Sequence, residues 1–216
     1  MKKKFAVVLS GCGVYDGAEI HEATLTLLAI ARQGASFQCF APDIQQAHVI
    51  NHLTGEVMNQ ERNVLVESAR IARGNIKPLK DFQASGFDAL IFPGGFGVAK
   101  NLCTYAFDGY QCKVDPETEK AIRDMHRLGK PIGALCISPV LISKIIGNVE
   151  VTIGSDAATA SDIAKMGGKH VVAAHGEVVT DTAHRVVTTP CYMLDASIDQ
   201  IASGVENLIK KILEMV

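Results

Sequence analysis

Short apolar runs rich in β-branched residues alternate along this chain with segments whose apolar positions recur at helical spacing. The apolar runs predict strands at residues 5–10, 36–40, 88–92, 131–135 and 149–153. The periodic segments predict helices at residues 19–33, 116–128, 138–146 and 194–215. Such alternation is the sequence form of repeated βαβ units, so we expect an α/β fold with a mostly parallel central sheet. Two further β-rich runs, 178–180 and 185–189, predict a hairpin or an antiparallel addition.

Residues 43–80 are harder to interpret, because they mix polar positions with one apolar helical stretch at residues 64–71. We interpret this segment as a helical excursion over one edge of the sheet. No linker, repeat or change in composition divides the chain, so residues 1–216 are expected to form a single domain.

Charge and composition narrow the possible partners. The formal net charge is only −2 and the basic residues are scattered, which argues against a nucleic-acid partner. No apolar stretch reaches the roughly 18 residues that a membrane span needs, so we expect no membrane partner. The six cysteines form no C-x-x-C pair, which is typical of reduced thiols in the cytoplasm, the location we expect. His48 and His52 are the one histidine pair at i, i+4, and they lie in a polar stretch, so no metal is expected.

Three strand-to-helix turns are candidates for chemistry, because ligands of open parallel sheets bind outside the carboxyl ends of the strands. They are residues 11–17, 93–97 and 135–139. In the third turn Cys136 follows a strand directly, and Ser138 with Pro139 predicts the start of a helix. A thiol at a helix amino end is expected to have a lowered pKa and to be a nucleophile. A buried structural cysteine is the alternative.

The other two turns offer partners for such a nucleophile. Gly94 and Gly95 allow backbone N–H groups to point at a ligand, and with the N–H of Ile137 they would form an oxyanion hole that also binds substrate. A plain tight turn is the alternative. Glu22, beside the apolar face of the first helix, is the candidate general acid or base, and a solvated glutamate at a helix start is its alternative.

These motifs carry a resemblance that covers most of the chain. Residues 10–17 (SGCGVYDG), 51–56 (NHLTGE) and 93–97 (PGGFG) resemble the PfpI and Parkinsonism-associated deglycase superfamily, a branch of the class I glutamine amidotransferase-like fold. They are most similar to its ElbB-type isoprenoid-biosynthesis glyoxalases. The resemblance implies a flavodoxin-like three-layer sandwich, a homodimer, a nucleophilic cysteine that matches Cys136 and an acidic partner that matches Glu22.

The chain also departs from parts of that superfamily. Protease-like members have a histidine directly after the cysteine, where this chain has Ile137. No histidine lies between His126 and His170, so a Cys–His pair would need one from elsewhere, such as His175. Peptidase and amidotransferase chemistry are therefore disfavoured.

The function predicted from this resemblance is a glyoxalase, a lyase of the hydro-lyase class. It would use no cofactor and no metal, and would convert small aldehydes such as glyoxal, and methylglyoxal, to 2-hydroxy acids through a hemithioacetal on Cys136. Deglycase activity would use the same addition step. A non-catalytic redox or stress sensor with an oxidisable Cys136 is one alternative. A nucleotide-dependent oxidoreductase is another, since residues 11–17 approach a G-x-G-x-x-G pattern.

Overall fold

The computed structural model describes residues 2–216, and a parallel sheet forms its centre. The strands of this sheet are β1 (Lys4–Val8), β2 (Ser36–Ala41), β3 (Ile76–Pro78), β4 (Ala89–Phe92), β5 (Ile132–Leu135), β8 (Val179–Asp181) and β9 (Val186–Thr189). They are ordered β3-β2-β1-β4-β5-β9-β8, and only β8 runs antiparallel to its neighbour. A separate pair of short parallel strands comprises β6 (Glu150–Val151) and β7 (Lys169–His170).

Helices cover both faces of the main sheet. They are α1 (Ile20–Arg32), α2 (Val64–Ile71), α3 (Tyr105–Asp108), α4 (Pro116–Arg127), α5 (Pro139–Ile146), α6 (Ala157–Lys165) and α7 (Ile198–Leu213). Short 3₁₀ turns lie at Leu79–Asp81, Ala84–Gly86, Gly109–Gln111 and Cys191–Met193, and a π-helical turn at Val98–Leu102. Side-chain caps fix several helix starts, as when Asp115 accepts the N–H of Thr118 at 2.8 Å ahead of α4.

Two apolar layers hold the helices to the sheet. On one face α1 and α7 bury Ile30, Val205 and Leu208 against side chains of β1 and β4. On the other face α4 and α5 bury Met125 and Leu141 against the alternate side chains of the same strands. Each such side chain contributes about 1.5–3 kcal/mol on full burial. The predicted three-layer α/β fold of the flavodoxin-like type is thereby confirmed.

Strand register brings the predicted turns together at one edge of the sheet. Val7 pairs with Ile91, Phe92 with Ala134, and Leu135 with Thr189. The residues that follow these pairs therefore leave the sheet side by side. The turn after β9, which was not among the three predicted turns, joins the same cluster.

Four details of the predicted order were wrong. Residues 43–80 do not only cross the edge of the sheet, because they end in β3, which pairs with β2 as the edge strand. Helix α6 was missed, since only Thr159 and Ile163 of its residues are buried and the apolar period is weak. The strand expected at 149–153 joins the small sheet. The closing helix begins at Ile198, because Ser197 and Gln200 form a capping box there. No helix among residues 2–216 is long and apolar enough to span a membrane.

Candidate active site

Cys136 occupies a strained turn directly after β5. Its φ is +59°, a left-handed conformation that non-glycine residues seldom adopt. The turn is held because the N–H of Cys136 donates to Thr189 O at 3.0 Å and the N–H of Ser138 donates to Leu135 O at 2.9 Å. The helix predicted to start at Ser138 and Pro139 is α5. The Ser138 hydroxyl makes no capping bond to it; it donates instead to Pro93 O at 2.9 Å and so ties this turn to residues 93–97, the glycine turn. Cys136 is only 7% exposed.

Glu22 lies in the first turn of α1 and is fully buried beside the thiol. One carboxylate oxygen, Oε2, accepts the N–H of Gly94 at 2.9 Å, and the other, Oε1, accepts the N–H of Tyr192 at 3.2 Å. The Cys136 side chain also hydrogen-bonds to this carboxyl group. Glu22 therefore lies beside the Cys136 sulfur and is held by backbone donors from two different turns.

Burial sets the protonation of this pair. The pKa of Glu22 is raised from 4.5 to about 7, first by burial and then by the charge of Glu19, against the lowering effect of its hydrogen bonds. The pKa of the Cys136 thiol is raised well above its ordinary value by burial and by the Glu22 carboxylate. The predicted lowering of the Cys136 pKa is therefore wrong. The N–H groups of Gly95 and Ile137, which hydrogen-bond to the sulfur, oppose the rise without overcoming it.

The glycine turn needs its glycines for close packing. A Cβ on Gly94 would lie 2.5 Å from Glu22 Oε2 and 2.9 Å from Cys136 Sγ. Gly95 has a φ of +101°, and a Cβ there would collide with the backbone of Gly17 and Glu19. The first and second turns are thus pressed together, backbone against backbone. The glycines of residues 11–17 have close contacts of their own, since a Cβ on Gly17 would collide with the backbone N of Cys12 and one on Gly13 would lie 2.6 Å from His52 Nε2.

The structure brings the residues named from the sequence into one cluster. Its members are Glu22, Gly94, Gly95, Cys136 and Ile137. In this arrangement the Gly94 N–H donates to Glu22, whereas the N–H groups of Gly95 and Ile137 point to the sulfur. Two N–H donors beside a nucleophile are the arrangement that an oxyanion hole requires.

Sequence reasoning missed the turn after β9. Tyr192 supplies a backbone donor to Glu22, and Cys191, with a φ of +45° and a thiol whose pKa burial raises well above its ordinary value, is buried beside the pair. The available signal was its position, since Cys191 follows a β-rich run as Cys136 does. The Tyr192 hydroxyl is 2.8 Å from His21 Nδ1. His175, the histidine named from the sequence, has an exposed side chain.

The histidine pair His48 and His52 makes contacts with neighbouring loop and helix residues. His52 Nε2 accepts the N–H of Tyr15 at 3.2 Å, and the ring of His48 packs edge-on against Phe107. Within residues 2–216, no group of three or more His, Cys, Asp or Glu side chains is placed to hold a metal ion.

Known proteins resemble this chain over nearly its whole length. It is 48% identical over 222 residues to a human protein named glutamine amidotransferase-like class 1 domain-containing protein 3, mitochondrial, covering 98% of this chain and 83% of that one. It is 36% identical over 229 residues to the zebrafish ES1 protein, mitochondrial, covering 97% and 85%. No family model matches the chain.

Solved structures agree with the fold. A crystal structure of an isoprenoid biosynthesis protein with an amidotransferase-like domain from Ehrlichia chaffeensis superimposes with a TM-score of 0.92 at 38% identity, covering 99% of this chain and 100% of that one. Glyoxalase III from Candida albicans superimposes with a TM-score of 0.65 at 14% identity, covering 99% and 97%, which shows the shared fold alone.

The animal relatives carry the word mitochondrial in their names, which does not match the cytoplasmic location predicted from the sequence. Identity of this level, spread over almost the entire chain and accompanied by the same fold, shows that the chain belongs to the glutamine amidotransferase-like class 1 family.

Proposed function

We propose that this protein is a cofactor-independent glyoxalase that converts glyoxal, and also methylglyoxal, to the corresponding 2-hydroxy acid. The observation that carries the proposal is the pairing of a buried thiol with a carboxyl group whose pKa is about 7. A carboxyl group of that pKa exchanges protons readily at neutral pH, which is what general acid–base chemistry needs.

Activation of the thiol is the first step. Because the pKa of Cys136 is raised, the sulfur is not a standing thiolate, and it must lose its proton as it attacks. The ionised form of Glu22 is in hydrogen-bond contact and takes that proton. The sulfur then forms a C–S bond to one aldehyde carbon, and the carbonyl electrons move to oxygen. The N–H groups of Gly95 and Ile137, which hydrogen-bond to the sulfur, are near enough to stabilise this oxyanion.

Isomerisation of the adduct follows. Glu22 returns its proton to the oxyanion, which gives the neutral hemithioacetal and a carboxylate again. The carboxylate removes the hydrogen, as a proton, from the carbon that bears sulfur; the electron pair forms a C=C bond and the neighbouring carbonyl oxygen takes up a proton, which gives an enediol. The enediol then gains a proton at the neighbouring carbon and loses the hydroxyl proton from the carbon that bears sulfur. The product is a thioester of the 2-hydroxy acid, and water releases the acid and restores the thiol. Glyoxal plus water thus gives glycolic acid, with no net change in oxidation state.

Burial also limits the size of the substrate. The Cys136 side chain is covered by the turns that surround it, and its residual exposure of 7% admits a small electrophile more easily than an aldehyde already bonded to a protein side chain. We therefore favour free dicarbonyl compounds over protein-bound adducts, and so glyoxalase over deglycase activity. The raised thiol pKa also weakens the redox-sensor alternative, because oxidation to a sulfinate starts from a thiolate.

The proposal is tested by measuring the 2-hydroxy acid formed from glyoxal and from methylglyoxal, with a chelator present and no added thiol or nucleotide. We expect wild-type turnover, its abolition in Cys136→Ala, and a loss of about 10²–10⁴-fold in Glu22→Gln. Cys39→Ala is the matched control, since Cys39 is a buried thiol in β2, and it should retain turnover. Absence of wild-type turnover, or full activity in Cys136→Ala, would contradict the proposal.

A homodimer and an ElbB-type role in isoprenoid biosynthesis are also proposals. Light scattering of the purified protein tests the first of these. Fractionation of the source cells tests the location, for which the relatives' names favour the mitochondrion instead.

A further inference from the structure

A second pair of cysteines lies in the segment between the glycine turn and α4. This segment folds back on itself as a short antiparallel ladder, in which Cys103 pairs with Val114. Thr104 N–H donates to Lys113 O at 2.9 Å, and Asp115 N–H donates to Leu102 O at 2.8 Å. The ladder holds residues 103 and 112 at the same end of the fold-back, although the chain between them runs through α3 and a 3₁₀ turn.

The two thiols meet inside this fold-back. Cys103 is 3% exposed and Cys112 is 2% exposed, and the antiparallel pairing of Cys103 with Val114 puts the two cysteines on the same face as diagonal neighbours. Cys103 Sγ also lies 3.3 Å from Val98 O. Cys112 lies close to the protein surface, because its chain neighbours Gln111 and Lys113 are both exposed. A small oxidant therefore has a short path to this sulfur. Cys103 belongs to the apolar layer on one face of the sheet, and Cys136 to the layer on the other face.

The surroundings of the two sulfurs differ in charge. Lys144 donates to Tyr110 O at 2.9 Å, which places its ammonium group over the turn that contains Cys112. The neighbouring Cys103 thiol and the charge of Lys144 lower the pKa of Cys112, against burial and the charge of Asp108. The pKa of Cys103 is raised well above its ordinary value. Because Lys144 lies over the turn of Cys112, and the Cys103 thiol donates to Val98 O at 3.3 Å, we assign Cys112 as the attacking cysteine and Cys103 as the resolving one.

We propose that Cys103 and Cys112 form a reversible disulfide site that is oxidised by small peroxides. The Cys112 thiolate attacks one peroxide oxygen, the O–O bond breaks, and a sulfenic acid forms as hydroxide leaves and takes up a proton to become water. The Cys103 sulfur then attacks the sulfenic sulfur, loses its proton and expels a second water. With hydrogen peroxide, two thiols and one peroxide give one disulfide and two waters, so the peroxide is reduced as the thiols are oxidised. The sulfurs must close to about 2.05 Å.

The test uses folded Cys136→Ala protein, so that the active-site thiol cannot react and the result does not depend on the proposed glyoxalase activity. The protein is treated with hydrogen peroxide, the remaining thiols are alkylated under denaturing conditions, and the peptides are mapped by mass. We expect a linked Cys103–Cys112 peptide that is lost on reduction with dithiothreitol. Cys39 and Cys191, buried thiols with raised pKa values, are the internal controls and should be recovered alkylated.

Two variants sharpen the result. In Cys103→Ser the linked peptide should be absent and Cys112 should be recovered as a sulfenic or sulfinic acid, because its resolving partner is gone. In Cys112→Ser the Cys103 thiol should resist the same peroxide treatment. The proposal is overturned if Cys103 and Cys112 of the Cys136→Ala protein both stay reduced until the protein unfolds. It is overturned equally if Cys112 is over-oxidised without linkage, or if Cys39 or Cys191 reacts first.

Discussion

Replacing Glu22 with glutamine should change how the stability of this protein depends on pH. Glu22 has a folded-state pKa of about 7 against an ordinary value of 4.5, so the folded chain holds a proton that the unfolded chain releases between these values. Because the pKa is raised, the stabilising effect is fully present below pH 4.5 and is lost as pH rises toward 7. Glu22→Gln lacks this titration and should not lose stability in that window.

The magnitude follows from the shift. A rise from 4.5 to about 7, at ~1.4 kcal/mol per pKa unit, corresponds to roughly 3 kcal/mol of unfolding free energy. The amide of glutamine also faces one of the two N–H donors, from Gly94 or Tyr192, and an unpaired buried donor costs about 1–3 kcal/mol. That cost does not vary with pH. As the pH rises from 4.5 to about 7, the free energy of unfolding of the variant should therefore increase relative to that of the wild type by roughly 3 kcal/mol. This change does not depend on which protein is more stable at low pH.

Urea unfolding of both proteins, from below pH 4.5 to above pH 7, measures this difference. Glu61→Gln is the matched control, because Glu61 is exposed, and its curve should run parallel to that of the wild type. Parallel curves for wild type and Glu22→Gln would refute the reasoning, since they would mean that burial does not raise the pKa of this carboxyl group.

Further outcomes are expected for the site. If Glu22 is the base, kcat/KM for glyoxal should rise with pH along a limb centred near 7, and a flat profile would contradict its role. Gly94→Ala should reduce kcat by about 100-fold or more, because its methyl group would lie 2.9 Å from Cys136 Sγ, whereas Gly86→Ala, with open space around it, should be silent. Ser138→Ala should lower the free energy of unfolding by about 1 kcal/mol in urea titration through loss of its bond between the turns, and an unchanged midpoint would argue against that bond.

The sheet was predictable because its central strands are buried on both faces and appear in the sequence as unbroken apolar runs. The placement of Cys136 also followed from the sequence, since a residue after a parallel strand emerges at the ligand-binding edge. Glu22 was placed at the same edge by the helical period of α1, which buries its neighbour Ala23. The catalytic roles of these residues stay proposals.

The features that could not be predicted from the sequence depend on contacts between segments that are far apart in the chain. The thiol pKa was predicted to fall because a helix start favours a thiolate, but burial and the Glu22 carboxylate reverse the direction. Tyr192 acts through its backbone N–H, which any residue other than proline supplies, so no side-chain pattern marks it. Strand β3 was missed because it has three residues and ends in proline.

Because α1 packs against α7, one layer of the core cannot form until the end of the chain is present. Glu22 lies on the helix that is synthesised first, and its layer of the core is finished by Val205 and Leu208, on the last helix. Arg32 and Glu206 join the same two helices at 2.9 Å. A chain emerging from the ribosome therefore carries an exposed apolar α1 face until almost all of its residues have followed. The Glu22 carboxyl group can therefore reach its native, buried surroundings only after the turn that contains Tyr192 has been synthesised.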